Sequence, residues 1–352
     1  MQFALFVSVL NLPKPTYFFM DEDKLPSISI LIAARNEEEN IINCLKSIEL
    51  IDYPKHKLEI IIGNDLSTDR TAELIEEFTK NKNYFKIINI TAKLGNAKAK
   101  ANVLAHLFKE CNGEIIFVTD ADIKVKSTWI KSILPYFKNP EVGIVSGTTV
   151  VTGSAFFAKM QSIDWLYFSG LLTAFDNLRL KSTAVGNNMA VRISAYQATG
   201  GYENMVFSVT EDLALFTAIT QKEYKAINLL ESKNLNFSKP QISFQNFLHQ
   251  RKRWLIGAQD LNMKWKFLFA LMGLFYPALF ILAFYSYKNA IAILLIKFLM
   301  QTGISLLVSK RLQIKTSIIH LFLFEIYSLF STFAISLFYV LPIKMIWKER
   351  NY

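Results

Sequence analysis

The 352-residue chain is poor in the residues that build disulfide scaffolds and histidine–metal centres. It has two cysteines, Cys44 and Cys111, with neither metal-binding nor redox spacing, so free buried thiols in a reducing compartment are expected. Of its four histidines none pairs at ligand spacing, so no histidine-based zinc site is suggested. Thirteen glycines and nine prolines are too few for a collagenous or low-complexity chain. Neither a glycine-rich dinucleotide fingerprint nor a phosphate loop ending in Gly-Lys-Ser/Thr follows the first apolar strand. Charged residues make up 19%, against about 25% in soluble domains. Residues 3–10 are apolar but too short to span a bilayer, and they lack the basic start and cleavage site of a signal peptide. They read either as an interfacial anchor or as the remnant of a longer helix.

What the chain has in excess is apolar surface and positive charge. Hydrophobic residues reach 52%, which excludes a disordered chain. A net charge of +10 suits a nucleic-acid binder or a membrane protein with basic flanks, and its distribution separates the two. Residues 264–352 hold ten basic and two acidic residues, while the rest of the chain holds 29 and 27 and is nearly neutral. That last quarter also carries three apolar stretches: 267–287, 290–308 interrupted by Lys297, and 318–341 interrupted by Glu325. About 20 apolar residues cross a bilayer core, so each is long enough. Lys310, Arg311 and Lys315 mark a cytoplasmic loop by the positive-inside rule. Three full crossings would then place Lys344, Lys348 and Arg350 outside, against the same rule, unless one stretch lies in the interface or re-enters. Lys297 and Glu325 would lie at depths ~6 Å apart in antiparallel helices, and a buried ion pair between them is expected.

The nearly neutral part reads as an α/β domain. Apolar strands at 27–33, 58–62, 85–90 and 114–118 alternate with helix-period segments at 37–49, 71–78 and 99–108. Such alternation predicts a largely parallel, doubly wound sheet with ligands at the carboxyl ends of the strands. The acidic residues following two strands, Asp65 and the pair Asp120 and Asp122, therefore carry the most chemical information. Two carboxylates at i, i+2 on an extended segment point the same way. With no phosphate loop present, a hard divalent cation on these carboxylates could hold a phosphate. Residues 156–175, rich in aromatics, read either as an interfacial helix or as a helix packed on the sheet.

Five segments in order resemble the membrane-bound family-2 glycosyltransferases, the group of cellulose, hyaluronan and poly-N-acetylglucosamine synthases and ceramide glucosyltransferases. They are PSISILIAARNEEENI at 26–41, NDLSTDRT at 64–71, TDADI at 119–123, and TED at 210–212 followed by QRKRW at 250–254. The resemblance implies a GT-A fold, a Rossmann-like nucleotide-diphospho-sugar transferase domain, followed by C-terminal transmembrane helices. The expected division is a linker over 1–26, a GT-A domain over 27–263 and a membrane domain over 264–352. It further implies that Ala34, Arg35 and Glu37 belong to the first nucleotide-contacting loop. Asn64, where the family usually has Asp, and Asp65 would hold nucleobase and ribose. Lys98 would approach the phosphates, Asp122 would ligate Mg²⁺ or Mn²⁺, and Asp120 would contact nucleotide or metal. Asn187 and Asn188 would offer amides to acceptor hydroxyls. Asp212 would be the base, with Glu211 as second choice. Gln250, Arg253 and Trp254 would form the diphosphate and acceptor clamp, with Arg251 and Lys252 left to meet anionic lipid heads.

The expected activity is an inverting, metal-dependent transfer of sugar from a nucleotide donor, UDP-linked by family habit. The acceptor is a lipid or lipid-linked saccharide at the cytoplasmic face of the cell membrane. The alternatives are a processive polysaccharide synthase and a membrane-anchored binding protein without catalysis. No nucleic-acid partner is expected.

Overall fold

The computed structural model describes residues 2–12, 24–180, 182–347 and 350–351; Lys348 and most of the linker expected over 1–26 lie outside them. In chain order, helix α1 (Gln2–Leu10) comes first. Strand β1 (Ile28–Ala34), helix α2 (Ile41–Glu49), strand β2 (Leu58–Asn64), helix α3 (Thr71–Thr79) and strand β3 (Phe85–Asn89) follow. Next come helix α4 (Ala99–Glu110), strand β4 (Ile115–Asp120), helix α5 (Trp129–Ile133) and strands β5 (Val142–Ser146) and β6 (Thr149–Val151). Helix α6 (Phe156–Asn177) precedes strand β7 (Met189–Arg192), helices α7 (Ile193–Ala198) and α8 (Glu211–Gln221), and strands β8 (Lys225–Asn228) and β9 (Asn236–Ser238). Helices α9 (Phe244–Gly257), α10 (Met263–Gly273), α11 (Phe275–Tyr285), α12 (Tyr287–Leu312) and α13 (Ile318–Val340) complete the helical part.

The chain divides into two compact units. The first comprises residues 24–150 and 183–239, and the second comprises α1, residues 151–182 and everything from 240 onward. The division falls elsewhere than the expected boundary at 263, because α6 and α9 pack with the apolar C-terminal helices.

The first unit is built on a seven-stranded sheet in the order β3-β2-β1-β4-β7-β5-β8. Strands β3, β2, β1 and β4 are parallel, and β7 runs antiparallel to both β4 and β5. The central strand β1 is a nearly unbroken apolar run because helices cover both of its faces. On one face α2 buries Ile41, Cys44, Leu45 and Ile48, the helical period legible in its sequence. On the other, α4 lies so close to β2 that a Cβ on Gly63 would stand 2.4 Å from the Val103 side chain. Side chains of this size contribute about 1.5–3 kcal/mol each when fully buried. The sheet therefore holds its strand ends rigidly, and the loops leaving β1, β2 and β4 inherit fixed starting points.

In the second unit two helices, α12 and α13, are long and apolar enough to cross a membrane. The stretch expected to run unbroken over 267–287 is instead two helices, α10 and α11, bent by 46°. Pro277 has no N–H to offer the Gly273 carbonyl, so the ladder stops there. Helix α6 packs within its own unit: its Gly170 faces α12, where a Cβ would stand 2.8 Å from both Ile304 and Val308. Met160 and Ile163 of α6 pack with Leu321 and Phe324 of α13. Helix α1 joins the same bundle. Ser8 donates to the Ala174 carbonyl at 3.0 Å and accepts from the Asn177 amide at 3.1 Å. Lys297 of α12 and Glu325 of α13 are in contact, Nζ to Oε1 2.6 Å.

Candidate active site

The loops after β1 and β2 are knitted together mainly through backbone groups. The Asp65 N–H donates to the Ala34 carbonyl at 2.9 Å, and the Arg35 guanidinium donates to the Asp65 carbonyl at 2.6 Å. Glu37 is buried, its N–H bonded to Thr71 Oγ1 at 2.7 Å and its carboxylate accepting from Asn40 at 2.7 Å. Asn64 Oδ1 accepts from the Ser67 N–H, three residues on, at 3.3 Å, while its amide donates to Asn89 at 2.9 Å. Arg35 and Asn64 thus shape the floor of the first loop from inside.

The chemistry-bearing residues converge on the carboxyl end of β4 and the first turn of α8. Asp120 ends β4, and Asp122 follows one residue beyond Ala121. Lys100, in the first turn of α4, puts Nζ 2.5 Å from Asp120 Oδ1 and 2.7 Å from Glu211 Oε1. Burial favours the neutral amine, but the two carboxylates outweigh it and hold the Lys100 ammonium well above its ordinary range. Asp212, beside Glu211, accepts from the Gly186 N–H at 3.0 Å. Burial, with the Glu211 charge adding to it, pushes the Asp212 carboxyl up to about 6; Lys100 and the Gly186 N–H pull the other way. Behind the pair, the buried Cys44 thiol is pushed up by burial first and then by the charges of Asp122, Asp120 and Glu37. Its Sγ lies 3.6 Å from the Asp120 carbonyl.

Asn187 and Asn188 part company. The Asn187 carbonyl accepts from Thr119 at 3.0 Å, tying its loop to β4, and its side-chain oxygen accepts from Thr149 at 2.8 Å. Asn188 is fully buried. Its Oδ1 accepts from the Trp129 indole at 2.7 Å, and its amide donates to the carbonyls of Thr148 at 2.7 Å and Asn234 at 2.9 Å. The expectation that Asn188 offers its amide to an acceptor is corrected: both donors are spent inside the fold.

The profile of glycosyl transferase family 21, within the GT2 superfamily, matches residues 5–352. The chain belongs to this family. It is 30% identical over 249 residues to the probable glycosyltransferase YdaM of Bacillus subtilis, covering 68% of this chain and 57% of that protein. It is 31% identical over 200 residues to a beta-monoglucosyldiacylglycerol synthase of Nostoc, covering 55% and 41%. It is 27% identical over 284 residues to a poly-beta-1,6-N-acetyl-D-glucosamine synthase of Staphylococcus epidermidis, covering 74% and 65%. The chain thus matches about half of the length of these relatives. Among solved structures it is similar to mannosyltransferase PcManGT from Pyrobaculum calidifontis in complex with GDP-Man and Mn²⁺. That likeness has a TM-score of 0.60 at 17% identity and covers 89% of this chain and 95% of the other. At this identity it is a likeness of fold, and the fold is GT-A.

For a family-21 chain of GT-A fold, the donor set for a divalent ion can be tested on the residues themselves. Among the described residues no group of three His, Cys, Asp or Glu side chains could hold a metal. Asp120 and Asp122 offer two hard carboxylates, which suits Mg²⁺ or Mn²⁺ completed by phosphate oxygens of a substrate. The pair fits, with one competitor: the Lys100 ammonium already on Asp120.

Lys98, expected at the phosphates, is exposed and lies 5.3 Å over the Phe207 ring. Lys100, two residues on, is the lysine at the carboxylates, and sequence reasoning passed over it. The available signal was its position: a lysine in the first turn of a helix opposes the helix dipole and needs an acidic partner.

Gln250, Arg253 and Trp254 lie on α9 in the second unit. The Trp254 ring packs against Phe168, stacked at 6.5 Å between centroids, and against Trp165 edge-on at 5.6 Å. The Arg251 guanidinium stands 4.2 Å over it. Arg251 and Lys252 are not free to meet lipid heads. Arg251 pairs with Asp164 of α6. Lys252 is buried and donates to the carbonyls of Phe338 at 3.0 Å, Leu341 at 3.0 Å and Ile343 at 2.9 Å, closing the C-terminal end of α13.

Proposed function

We propose that this chain is an inverting glycosyltransferase. It moves a sugar from a nucleotide donor to a lipid or lipid-linked saccharide at the cytoplasmic face of a membrane. The observation that carries the reading is the convergence of Asp120, Lys100 and Glu211, with Asp212 beside them held at a pKa of about 6. The acceptor hydroxyl attacks the anomeric carbon, the bond from that carbon to the diphosphate oxygen breaks, and the hydroxyl proton passes to the Asp212 carboxylate. A carboxylate tuned to about 6 is largely ionised near neutral pH and more basic than an ordinary aspartate. Asp120 and Asp122 would hold Mg²⁺ or Mn²⁺, which supplies positive charge to the leaving diphosphate when bound.

Around this centre, Ala34, Arg35 and Glu37 shape the loop that would receive the nucleotide, and Asp65 would meet its ribose or base. Lys98 is exposed and would reach a phosphate. Asn187 would meet the acceptor. Gln250 and Arg253, one helical turn apart on α9, would grip the diphosphate, the arginine bidentately.

A screen of sugar nucleotides for hydrolysis and transfer by the detergent-solubilised full chain tests the reading. One donor should turn over with Mg²⁺ or Mn²⁺, and Asp212→Asn should lose turnover while keeping fold and donor binding. Full activity in Asp212→Asn would sink the base assignment. No turnover of any donor would favour a binding role without catalysis.

A processive polymer synthase is the second reading, favoured by the poly-N-acetylglucosamine synthase relative. Against it, the described residues hold two helices able to span a membrane, or three if the bent pair counts as one span, few for a product channel in a single chain. Product-length analysis separates them: one added sugar supports the first reading, a ladder the second.

A further inference from the structure

Lys100 sits where its own helix does not favour it. It occupies the second position of α4, at the positive end of the helix dipole. The residue before it, Ala99, has φ +49°, a left-handed conformation that a side chain with Cβ adopts at a cost. Its ammonium is three-quarters buried, with 26% of the side chain exposed. These costs are offset by two contacts, Asp120 Oδ1 at 2.5 Å and Glu211 Oε1 at 2.7 Å. Without that ammonium, Glu211 would be a buried carboxylate with Asp212 next to it and Asp120 close by, an arrangement that like-charge repulsion opposes.

A divalent ion on Asp120 would bind the same carboxylate that Lys100 holds through Oδ1. Two cations cannot share that carboxylate without strong repulsion at this separation. We propose that Lys100 is a tethered counter-ion that occupies Asp120 in the donor-free protein, and that a divalent ion entering at Asp120 and Asp122 displaces it. Glu211 then keeps Lys100 within the site, ready to meet a diphosphate oxygen. The site gains a built-in preference for the metal–diphosphate complex over the bare ion, because only the complex brings an anion to satisfy the displaced ammonium. This rests on the reading of Asp120 and Asp122 as the metal site.

The test is Mn²⁺ binding to the solubilised full chain without nucleotide, followed by the electron paramagnetic signal of free Mn²⁺. Lys100→Met should bind Mn²⁺ about tenfold more tightly than the unmodified protein, while Lys100→Arg, which keeps the charge, should not. Because Lys100→Met strands the buried Glu211 carboxylate, Lys100→Met/Glu211→Gln serves as the second variant, with the same expectation. In the unmodified protein, acetylation of Lys100 read by mass spectrometry should speed up on adding Mn²⁺. Equal or weaker Mn²⁺ binding in both Met variants, or Lys100 acetylation unchanged by Mn²⁺, overturns the proposal. Asp122→Asn distinguishes the two failures. If it abolishes Mn²⁺ binding while the Met variants match the unmodified protein, only the displacement falls. If Asp122→Asn binds as well as the unmodified protein, the metal-site reading falls with it.

Discussion

Lys297 of α12 and Glu325 of α13 face one another inside the apolar helices, with Nζ 2.6 Å from each carboxylate oxygen. Tyr276 of α11 joins them, accepting from Lys297 at 2.7 Å and donating to Glu325 at 3.0 Å, and Gln301 donates to Glu325 at 3.1 Å. Three apolar helices are tied at one polar point, its two charges largely shielded from solvent. Lys297→Met or Glu325→Gln alone should each cost about 3 kcal/mol of stability, because either leaves a buried charge without its partner. The double substitution should cost clearly less than the sum. Thermal unfolding in detergent measures it, and a double variant no better tolerated than either single one would refute the coupling.

Lys252 closes the end of α13 from α9, so the basic tail begins on the side where α9 lies. Cysteines introduced as Asp260→Cys and Lys344→Cys, both at exposed positions, should react with a membrane-impermeant maleimide from the same side of sealed vesicles. Labelling from opposite sides would be incompatible with the Lys252 contacts. Lys252→Met should cost about 2 kcal/mol, the scale of a charged hydrogen-bond donor lost to buried acceptors.

Asp212 sets an expected pH profile. A group that must be ionised to accept a proton, with a pKa of about 6, gives turnover that rises with pH through about 6 and then levels. Lys100 lowers that pKa, so Lys100→Met should move the rising limb to higher pH. A limb that stays in place, or moves lower, contradicts the electrostatic assignment.

Gly186 has no room for a side chain. A Cβ there would stand 2.7 Å from Asp212 Cβ and 2.8 Å from its Oδ2. Gly186→Ala should displace the carboxylate and reduce turnover at least about tenfold, the scale of a small misplacement of a catalytic group. Circular dichroism and melting should stay close to those of the unmodified protein. Normal turnover in that variant would remove Asp212 from the reaction.

The strands and the order of the motifs were legible because they rest on local rules. Buried parallel strands read as apolar runs, α2 reads as a 3.6-residue period, and acidic residues at strand ends follow from the chain direction. What was not legible depended on direction. Lys98 and Lys100 are the same residue type two positions apart, and only the start of α4 at Ala99 turns the second toward Asp120. Asn187 and Asn188 are identical in sequence chemistry, yet one seals the core beneath Trp129. Arg251 and Lys252 read as surface charge until α6 and α13 are seen to supply their partners.

By itself the amino-acid sequence determined the α/β domain, the carboxylates at its strand ends and the concentration of positive charge in the apolar last quarter. These depend on composition and on spacing along the chain. Tertiary structure alone decided that Lys100 joins Asp120 to Glu211, that burial and the Glu211 charge raise the Asp212 carboxyl, and that α9 and α6 belong with the apolar C-terminal helices. Each arises from residues far apart in sequence brought within a few ångströms, where burial and Coulomb interaction, set by distance in space, outweigh any local propensity.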